Sequence, residues 1–584
     1  MKETKREMKK FGVFAFALLM LLMLMPALKA EAAVQGDWEY TVFEDGISPE
    51  GKKLYSVEIL RYNGSGGNVV IPSTLGGYPV RWIGVTQLFN ETPFYECKTL
   101  TSVVIPENVQ SIGQYAFYGC TSLKKVNLPN SLSYIGFMSF GYCKYLEEIV
   151  IPKNVSNVEY GAFAHCTSLS EIKVASGNES YVSEGGVLIQ LENPWQSTKK
   201  TLVQYPAGKS GAYAIPNDVP LVGIGAFLGC SSLTSITIPA SVTMLAEGVY
   251  PKNELVSGFS ECDSLTSITV AEGNKIYASH NGVLYNKSKT NLIKCPTAKS
   301  GAYTVPNGVK VIESQAFSSC AKLTSVTLPE GLITIDYMAF WRCSALKKIN
   351  IPNSVEYVGE SAFSESGIEE LLVGDGNKKY SSHGGVLFNK SGSTLAEYPA
   401  GKKDTEYVIN NSKEDTSKVA RQGIANLGAS KAKTTAIAAG AFKGNKKLKT
   451  VLIPKNVTQI GEDAFKDSQI TILCYSGSFA QKYAKNNKIP YKVIQGNIKS
   501  NKKTVTKDTV RKGKTLTLKA TGNATIQSVK WTTSKKGNVK IAKGAKSKTV
   551  TLRGMKKGGK SVVKATITFA DGTTMTKKCT ITVK

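Results

Sequence analysis

Histidine is almost missing from this 584-residue sequence, which has three, and none of its 11 cysteines forms a Cys-x-x-Cys pair. Zinc sites in proteins are built mainly from histidine and closely spaced cysteines. Nothing in the sequence resembles the nucleophile elbow of a serine hydrolase. The sequence therefore predicts neither a metal site nor another cofactor, and it favours a chain that is not an enzyme.

Long hydrophobic runs are missing beyond residues 1–32. Those residues combine a basic start, an apolar run from Phe11 to Met25 and the small-x-small sequence Ala30-Glu31-Ala32, which is typical of a secretory signal peptide. The apolar run of 15 residues is shorter than the roughly 20 that a spanning helix needs. No cysteine precedes Cys97 to carry a lipid. We expect a protein that is secreted and extracellular, or held non-covalently at a bacterial cell surface without a transmembrane anchor.

Acidic residues are nearly missing from the C-terminal end. Residues 496–584 contain 23 Lys and Arg but only Asp508 and Asp571, a net charge of +21. Such a charge attracts polyanions in a salt-dependent way. The expected partner is an anionic cell-wall polymer or glycan, not nucleic acid, which belongs to another compartment; a segment merely kept soluble by lysine is the alternative. The candidate contacts are Lys535, Lys536, Lys556, Lys557 and Lys560.

A 23-residue repeat dominates the middle of the sequence. Its pattern is C-x-x-L-x-x-V-x-I-P-x-x-V-x-x-I-G-x-x-A-F. Cysteine recurs at this interval in Cys97, Cys120, Cys143 and Cys166, and again in Cys320 and Cys343. The final position of the pattern marks ten copies: Phe117, Phe140, Phe163, Phe227, Phe259, Phe317, Phe340, Phe363, Phe442 and Phe465.

Each copy predicts a short strand followed by a segment that turns back. Leu123, Val126 and Leu128 give a partly alternating run with one buried face, and the next residue is a proline, which ends a strand. A unit of this size cannot bury its apolar face alone. The units must therefore stack into a solenoid.

This pattern resembles the BspA-type leucine-rich repeat of bacterial and protist surface proteins over residues 97–473. The resemblance implies a mainly β solenoid, with an N-terminal cap and a divergent first coil in residues 33–96. Residues 97–495 then form the solenoid, whose C-terminal cap is a helix followed by a strand in residues 477–494. The resemblance also implies adhesion to host or microbial proteins.

Three coils carry an insertion of the same kind, at residues 174–188, 270–284 and 373–387, each continuing into a further strand. Glycine-rich turns between β-like runs predict a hairpin that projects from the coil. Residues 408–440 follow neither the repeat nor the insertion pattern, and we expect an irregular loop there.

Eight cysteines occupy one position of the repeat. Stacked equivalent positions give parallel side chains, which suit the geometry of a disulfide poorly. We therefore expect a ladder of buried, reduced thiols with a packing role. His280 and His383 share one insertion position with Glu184, so both are interpreted as surface turn residues, and His165 is interpreted as structural.

The C-terminal residues 496–584 predict a small β-sandwich. Five alternating runs are expected to be strands, at residues 515–521, 528–534, 549–554, 561–569 and 577–584. The segment resembles the group 2 bacterial immunoglobulin-like domain, and Cys579 is expected to be a buried free thiol. Residues 554–561 match the letters of a phosphate-binding loop, but a β-like run follows them, so a lysine-rich turn is favoured.

The outward positions of the repeat strands form the candidate interaction face. They are Lys125, Asn127, Glu171, Lys173, Ser235, Thr237, Ser267, Thr269, Ser325, Thr327, Lys348 and Asn350. Their mixed, mostly small side chains suit a broad polar binding face or simply a solvated sheet. The leading hypothesis is a non-catalytic interaction protein that adheres through the solenoid while its basic C-terminal domain holds an anionic polymer. The alternative is a structural spacer of the cell envelope without a specific ligand.

Overall fold

The computed structural model describes residues 32–85, 92–191, 200–246, 259–409 and 433–584, with the short strands Gly248–Val249, Leu255–Val256 and Leu427–Gly428. The predicted signal peptide lies outside the described residues except for Ala32, and so does most of the loop predicted at 408–440. The chain divides into two compact units. The N-terminal unit runs to Leu265 and includes Val270–Ile276, and the C-terminal unit comprises Thr266–Thr269 and Tyr277–Lys584.

Each coil contributes two strands, not the single strand that the repeat predicts. The longer strand precedes the proline, and these strands pair in parallel from coil to coil to form what we call the front ribbon. A second strand of two residues follows the proline turn, and these strands pair in parallel to form the rear ribbon. A two-residue strand carries too few alternating positions to be recognised in the sequence.

The N-terminal unit begins with antiparallel strands that lead into its rear ribbon. Its front-ribbon strands are Gly67–Val70, Leu100–Val104, Lys125–Asn127, Ile149–Ile151, Ile172–Val174, Gly211–Ala214 and Leu233–Ile238. Its other strands are Ala33–Gln35, Trp38–Ile47, Lys53–Tyr62, Thr74–Leu75, Tyr78–Ile83, Ser111–Ile112, Tyr134–Ile135, Asn157–Val158, Tyr181–Glu184, Val187–Gln190, Thr201–Gln204, Leu221–Val222 and Met244–Leu245.

The C-terminal unit repeats this arrangement. Its front-ribbon strands are Ser267–Val270, Gly301–Thr304, Leu323–Thr327, Lys348–Ile351, Glu370–Val373, Glu406–Ile409, Thr450–Leu452, Thr471–Cys474 and Tyr491–Val493. Its rear-ribbon and insertion strands are Tyr277–His280, Val283–Asn286, Asn291–Lys294, Val311–Ile312, Thr334–Ile335, Tyr357–Val358, Tyr380–His383, Val386–Asn389, Thr394–Glu397, Ala436–Ile437 and Gln459–Ile460.

A stack of phenylalanine rings runs through the interior of each unit. Phe117 and Phe140 lie 5.1 Å apart and almost parallel, and Phe317 and Phe340 lie 4.8 Å apart. All ten predicted phenylalanines are buried. The stack also contains Phe94, which the sequence analysis missed because the segment before it is divergent.

The predicted thiol ladder is confirmed, and it has a hydrogen-bonding role beyond packing. All 11 cysteines are free, and only Cys97 is not fully buried. In coil after coil the Sγ atom donates to a carbonyl of the preceding coil, as in Cys143 to Phe117 O at 3.2 Å and Cys343 to Phe317 O at 3.1 Å. Burial raises the pKa of Cys166 to about 12, which disfavours its thiolate form.

The glycine of the repeat is explained by close approach between coils. A Cβ atom on Gly359 would lie 2.4 Å from the backbone nitrogen of Tyr337, one coil earlier. On Gly136 it would lie 2.7 Å from the carbonyl carbon of Gly113. At these two positions a larger residue would require the backbone of the preceding coil to shift, although other coils carry Glu159, Glu313 and Asp336 at the equivalent position.

The insertions form the predicted hairpins, but the expectation that they project is wrong. In the first insertion Val187, Leu188 and Ile189 are fully buried, because the hairpin pairs through Thr201–Gln204 with the rear ribbon. Its turn folds back onto the front ribbon, where Ile172 N donates to Gly186 O at 2.9 Å.

An asparagine shared by the insertions fixes this arrangement. Asn377 donates from Nδ2 to Pro352 O and Val355 O, and its Oδ1 accepts from the backbone of Lys379 and Tyr380. Asn178 makes the equivalent four bonds. The repeated Gly-Asn of the insertions was the available sequence signal for this role.

The C-terminal cap is confirmed as a helix, Phe479–Asn486, followed by the strand Tyr491–Val493. Ser478 caps the helix by accepting a hydrogen bond from Gln481 N at 3.3 Å, and Ala480 and Ala484 are its buried residues. The region predicted as an irregular loop begins and ends in the strands Glu406–Ile409 and Ala436–Ile437.

Residues 496–584 form two sheets around one core, and all five predicted strands are present. One sheet contains Lys503–Thr504, Gly496–Ser500, Thr515–Gly522, Thr549–Gly554 and Val539–Lys543 in that order. The other contains Lys507–Val510, Thr574–Val583, Lys560–Phe569 and Ile526–Thr533. Trp531 and Cys579 are buried between the two sheets, and Cys579 is a free thiol, as expected. The immunoglobulin-like resemblance itself stays a prediction.

The sandwich core is continuous with the end of the solenoid in the C-terminal unit. Val408, Leu452 and Ile494 belong to the same apolar cluster as the sandwich interior. The Tyr475 hydroxyl donates to the buried Asp571 carboxylate at 2.9 Å. The predicted boundary at residue 495 therefore does not interrupt the packing.

A carboxyl group is buried where the third insertion joins its coil. Glu397 is 3% exposed and accepts a hydrogen bond from Ser364 Oγ at 3.2 Å. Burial raises the pKa of Glu397 well above its ordinary value, with a further contribution from Glu360 and opposition from Lys443. The equivalent residue of the first insertion is the buried, uncharged Gln204.

We expect Glu397→Gln to stabilise the protein at pH 8 and to lose this advantage near pH 4. Because the folded state raises the pKa, it binds the proton more tightly than the unfolded state, so stability falls as pH rises above the ordinary glutamate value of about 4.3. The midpoint of urea unfolding at several pH values measures this, with Glu406→Gln on an exposed neighbouring position as control. A variant that is less stable at pH 8, or whose advantage is independent of pH, would contradict the assignment.

Candidate functional site

The outward side chains of the front ribbon form the first candidate surface. Of the 12 predicted residues, ten are exposed and Ser235 and Ser267 are half-buried. They lie in two columns along each ribbon, because alternate residues of parallel strands in register share a face. In the N-terminal unit, Val104 faces Asn127 across the ladder and Val150 faces Lys173.

Three charged side chains, here called the charged chain, form a row across three coils of the N-terminal unit. Glu148 lies 4.0 Å from Lys125 Nζ and 3.7 Å from Lys173 Nζ, measured from its two carboxylate oxygens. All three side chains are about half exposed or more, so the pairs contribute little to stability. Glu148 was missed in the sequence analysis, although it holds the same outward position as Lys125 and Glu171.

Three exposed valines lie in the column beside this chain. Val70 is 68% exposed, Val104 48% and Val150 44%, and Val70 faces Val104 in the register of the ribbon. In the C-terminal unit the same column carries Thr304, Thr327, Asn350 and Leu372. The sequence analysis took the face as polar and missed the valines, whose alternation with inward residues was the available signal.

The second candidate surface is one end of the C-terminal sandwich, here called the basic end. Two lysine-rich turns meet there, one after Thr533 and one between Gly554 and Lys560. Asn538 joins them, since its carbonyl accepts from Met555 N and its Nδ2 donates to Lys560 O, both at 2.8 Å. The predicted contacts brought together in this way are Lys535, Lys536, Lys556, Lys557 and Lys560.

Further basic residues converge on the same end. Lys512 N donates to Lys584 O at 2.9 Å, and Gly513 N donates to Gly554 O at 2.8 Å, which brings Lys512 and Lys584 to the edge of the second turn. All five predicted lysines are exposed. In the part of the chain that the structure describes, no acid lies within ion-pair distance of any of them. Their charge is therefore directed to solvent.

The phosphate-loop lookalike is one of these turns. Residues 554–561 join the strands Thr549–Gly554 and Lys560–Phe569, so no helix N-terminus follows the glycines. A phosphate loop needs such a helix to present its backbone amides. The interpretation as a lysine-rich turn is confirmed.

Each of the three histidines has different surroundings. His165 is buried and stacks on Tyr142 with a centroid distance of 3.9 Å, and burial together with Lys144 lowers its pKa to about 4. His280 is exposed at a strand end, and His383 is half-buried at the equivalent position beside Phe388. The interpretations of His165 as structural and of His280 as a surface residue are confirmed, whereas His383 is less exposed than expected.

Neither a metal-binding cluster nor a membrane-spanning helix is found among the described residues. Within them, no three His, Cys, Asp or Glu side chains cluster so as to hold a metal ion. The same ranges contain no helix with the length and apolar character that crossing a membrane requires.

Solved structures from bacteria are similar to this chain. A leucine rich cell surface protein from Faecalibacterium prausnitzii is 24% identical with a TM-score of 0.34, covering 78% of this chain and 97% of its own. The pneumococcal vaccine antigen PcpA is 17% identical with a TM-score of 0.36, covering 80% and 98%. A leucine-rich repeat protein from Eubacterium ventriosum is 21% identical with a TM-score of 0.33, covering 75% and 95%. No curated protein matches the sequence.

The family is shown by the repeat itself. The BspA type leucine rich repeat region matches in six copies, over residues 87–184, 210–301, 299–391 and 424–507. These segments span more than half of the chain and coincide with the coils that carry the phenylalanine stack and the thiol ladder. The chain belongs to the family of BspA-type leucine-rich repeat proteins.

Proposed function

We propose that this chain is a non-catalytic interaction protein of a bacterial cell surface, and that it binds a protein ligand through the front ribbon of its N-terminal unit. The observation that carries the proposal is the column of exposed valines, Val70, Val104 and Val150, beside the charged chain centred on Glu148. Protein interfaces combine an apolar centre with a polar rim. Exposed apolar side chains that lie together and are rimmed by polar residues mark interaction surfaces.

The rigid stack beneath the ribbon supports this role. Inward neighbours such as Val103 and Ile149 are almost fully buried, so the outward side chains are held in fixed register. A pre-ordered surface loses little conformational entropy when it binds. The family's association with adhesion to host or microbial proteins is consistent with such a surface.

The test is capture by the full chain of purified extracellular-matrix and microbial surface proteins. We expect saturable binding of at least one ligand, weakened about tenfold or more by Val104→Lys and Val150→Lys, because each places a charge in the apolar centre. The matched control is Thr327→Lys, the same column position in the C-terminal unit. Unchanged affinity in both valine variants would contradict the location of the site. No saturable ligand at all would favour the alternative of a cell-envelope spacer.

For the basic end we propose retention on an anionic polymer of the cell wall or on a glycan. The five lysines project from two hydrogen-bonded turns and have no acidic partner among the described residues. Binding of this kind releases counterions, so its affinity falls steeply with salt.

Replacing Lys535, Lys536, Lys556, Lys557 and Lys560 by Gln is expected to lower the salt concentration at which the full chain elutes from immobilised lipoteichoic acid. The slope of log affinity against log salt is expected to become shallower by roughly one for each lost contact. The control replaces five other exposed lysines, Lys52, Lys98, Lys153, Lys289 and Lys310. An equal effect in the control would show a general response to net charge and would contradict a dedicated surface.

A further inference from the structure

The three insertions differ in what they do with one shared lysine. In the second insertion Lys299 Nζ donates to the carbonyl of Asn281, at the tip of the hairpin, at 2.6 Å. In the third, Lys402 Nζ donates to the equivalent carbonyl of Gly384 at 2.9 Å. The lysine thus fastens the hairpin tip to the coil in two of the three copies.

In the first insertion the equivalent lysine, Lys209, forms no such bond with the hairpin tip at Gly185. It lines a solvent-open cleft of about 860 Å³ between the hairpin and the front ribbon. The polar groups that converge on this cleft are Glu171, Lys173, Ser183, Lys209 and Ser210.

The first insertion also differs in the charge of the front-ribbon strand that lines its cleft. Lys173 is replaced by Thr269 in the second insertion and by Leu372 in the third, so only the first copy presents two lysines to the cleft. Lys173 approaches Glu148 at 3.7 Å, with both side chains about half exposed, which leaves it able to contact a ligand. Ser183 Oγ donates to Ile172 O at 2.6 Å, so this hydroxyl is held in place and still accepts.

The chemistry of the cleft selects among anions. Two ammonium groups attract a carboxylate, whereas the carboxylate of Glu171 opposes a dianion such as phosphate and accepts hydrogen bonds from hydroxyl groups. Ser183 and Ser210 add further partners for hydroxyls. A molecule with one negative charge and several hydroxyl groups satisfies all of these groups together.

We propose that the cleft of the first insertion binds a sugar acid, with the carboxylate at Lys209 and Lys173 and the hydroxyls at Glu171, Ser183 and Ser210. This goes beyond the proposed function, because it concerns a small ligand in the cleft beside the first hairpin, which shares only Lys173 with the charged chain of the front ribbon. The second and third insertions do not bind it, since their lysine is engaged with the hairpin tip.

The test is titration of the full chain with glucuronate and with glucose at about 0.15 M salt, followed by saturation-transfer NMR and calorimetry. We expect saturable binding of glucuronate and none of glucose at the same concentrations. Lys209→Met is expected to weaken glucuronate binding about tenfold or more, because a charged hydrogen bond is lost. Lys173→Thr, which installs the residue of the second insertion, is expected to weaken it as well. A hyaluronan tetrasaccharide, which carries glucuronate within a glycan, distinguishes a free sugar acid from a glycan residue as the source.

The matched control is Lys98→Met, an exposed lysine of the N-terminal unit that pairs with Glu96 outside the cleft. Its binding is expected to equal that of the unmodified chain, and circular dichroism checks the folding of every variant. Equal binding of glucose, no binding of either acidic probe, or binding that both Lys209→Met and Lys173→Thr leave unchanged would each overturn the proposal. Tetrasaccharide binding that survives both variants while glucuronate binding is lost would assign the glycan to the basic end and support a free sugar acid as the ligand of the cleft.

Discussion

Contact between successive coils is the constraint on which the structure depends. A coil of 23 residues has an apolar side that it cannot shield itself, and the next coil covers it with a phenylalanine ring, as Phe340 covers Phe317. The thiol three residues later ties the same two coils, since Cys343 Sγ donates to the carbonyl of Phe317. Cysteine suits this place because it is small, apolar and a weak donor. Asn445 takes its place in a later coil and uses its side-chain oxygen to accept from Lys447 N and Leu448 N.

The first and third insertions keep this stack of rings continuous, whereas the second has Cys295 at the equivalent position. Tyr205 packs against Phe227 at 5.4 Å and Tyr398 against Phe442 at 5.2 Å, so a tyrosine of the insertion stands where a coil would supply phenylalanine. The packed interior thereby fixes the register of the front ribbon. The outward side chains take no part in this packing, so their identity can vary. The outward residues can therefore differ between the two units. At equivalent outward positions the N-terminal unit has valines and the C-terminal unit has threonines.

The period, the buried phenylalanines, the thiols and the strands of the sandwich could be predicted, because each follows from side-chain spacing. The rear ribbon could not, since strands of two residues are held by the neighbouring coil rather than by their own pattern. The packed position of the hairpins depends on bonds made by Asn178 and Asn377 to residues more than twenty positions earlier. The candidate surfaces were partly predictable: exposure of Lys125 or Thr327 follows from alternation, whereas the meeting of the two lysine-rich turns depends on Asn538.

Native-state alkylation of the thiol ladder tests the dependence of one coil on the next most directly. Phe340→Ala removes one ring from the stack, while Phe479→Ala, at a position 41% exposed, serves as control. The rates at Cys343, in the altered coil, and at Cys320, in the coil before it, are read by mass spectrometry. Mutual shielding predicts that both rates rise together in Phe340→Ala and that neither changes in the control. A rise confined to Cys343 would show that coils hold their structure singly, which would contradict the account.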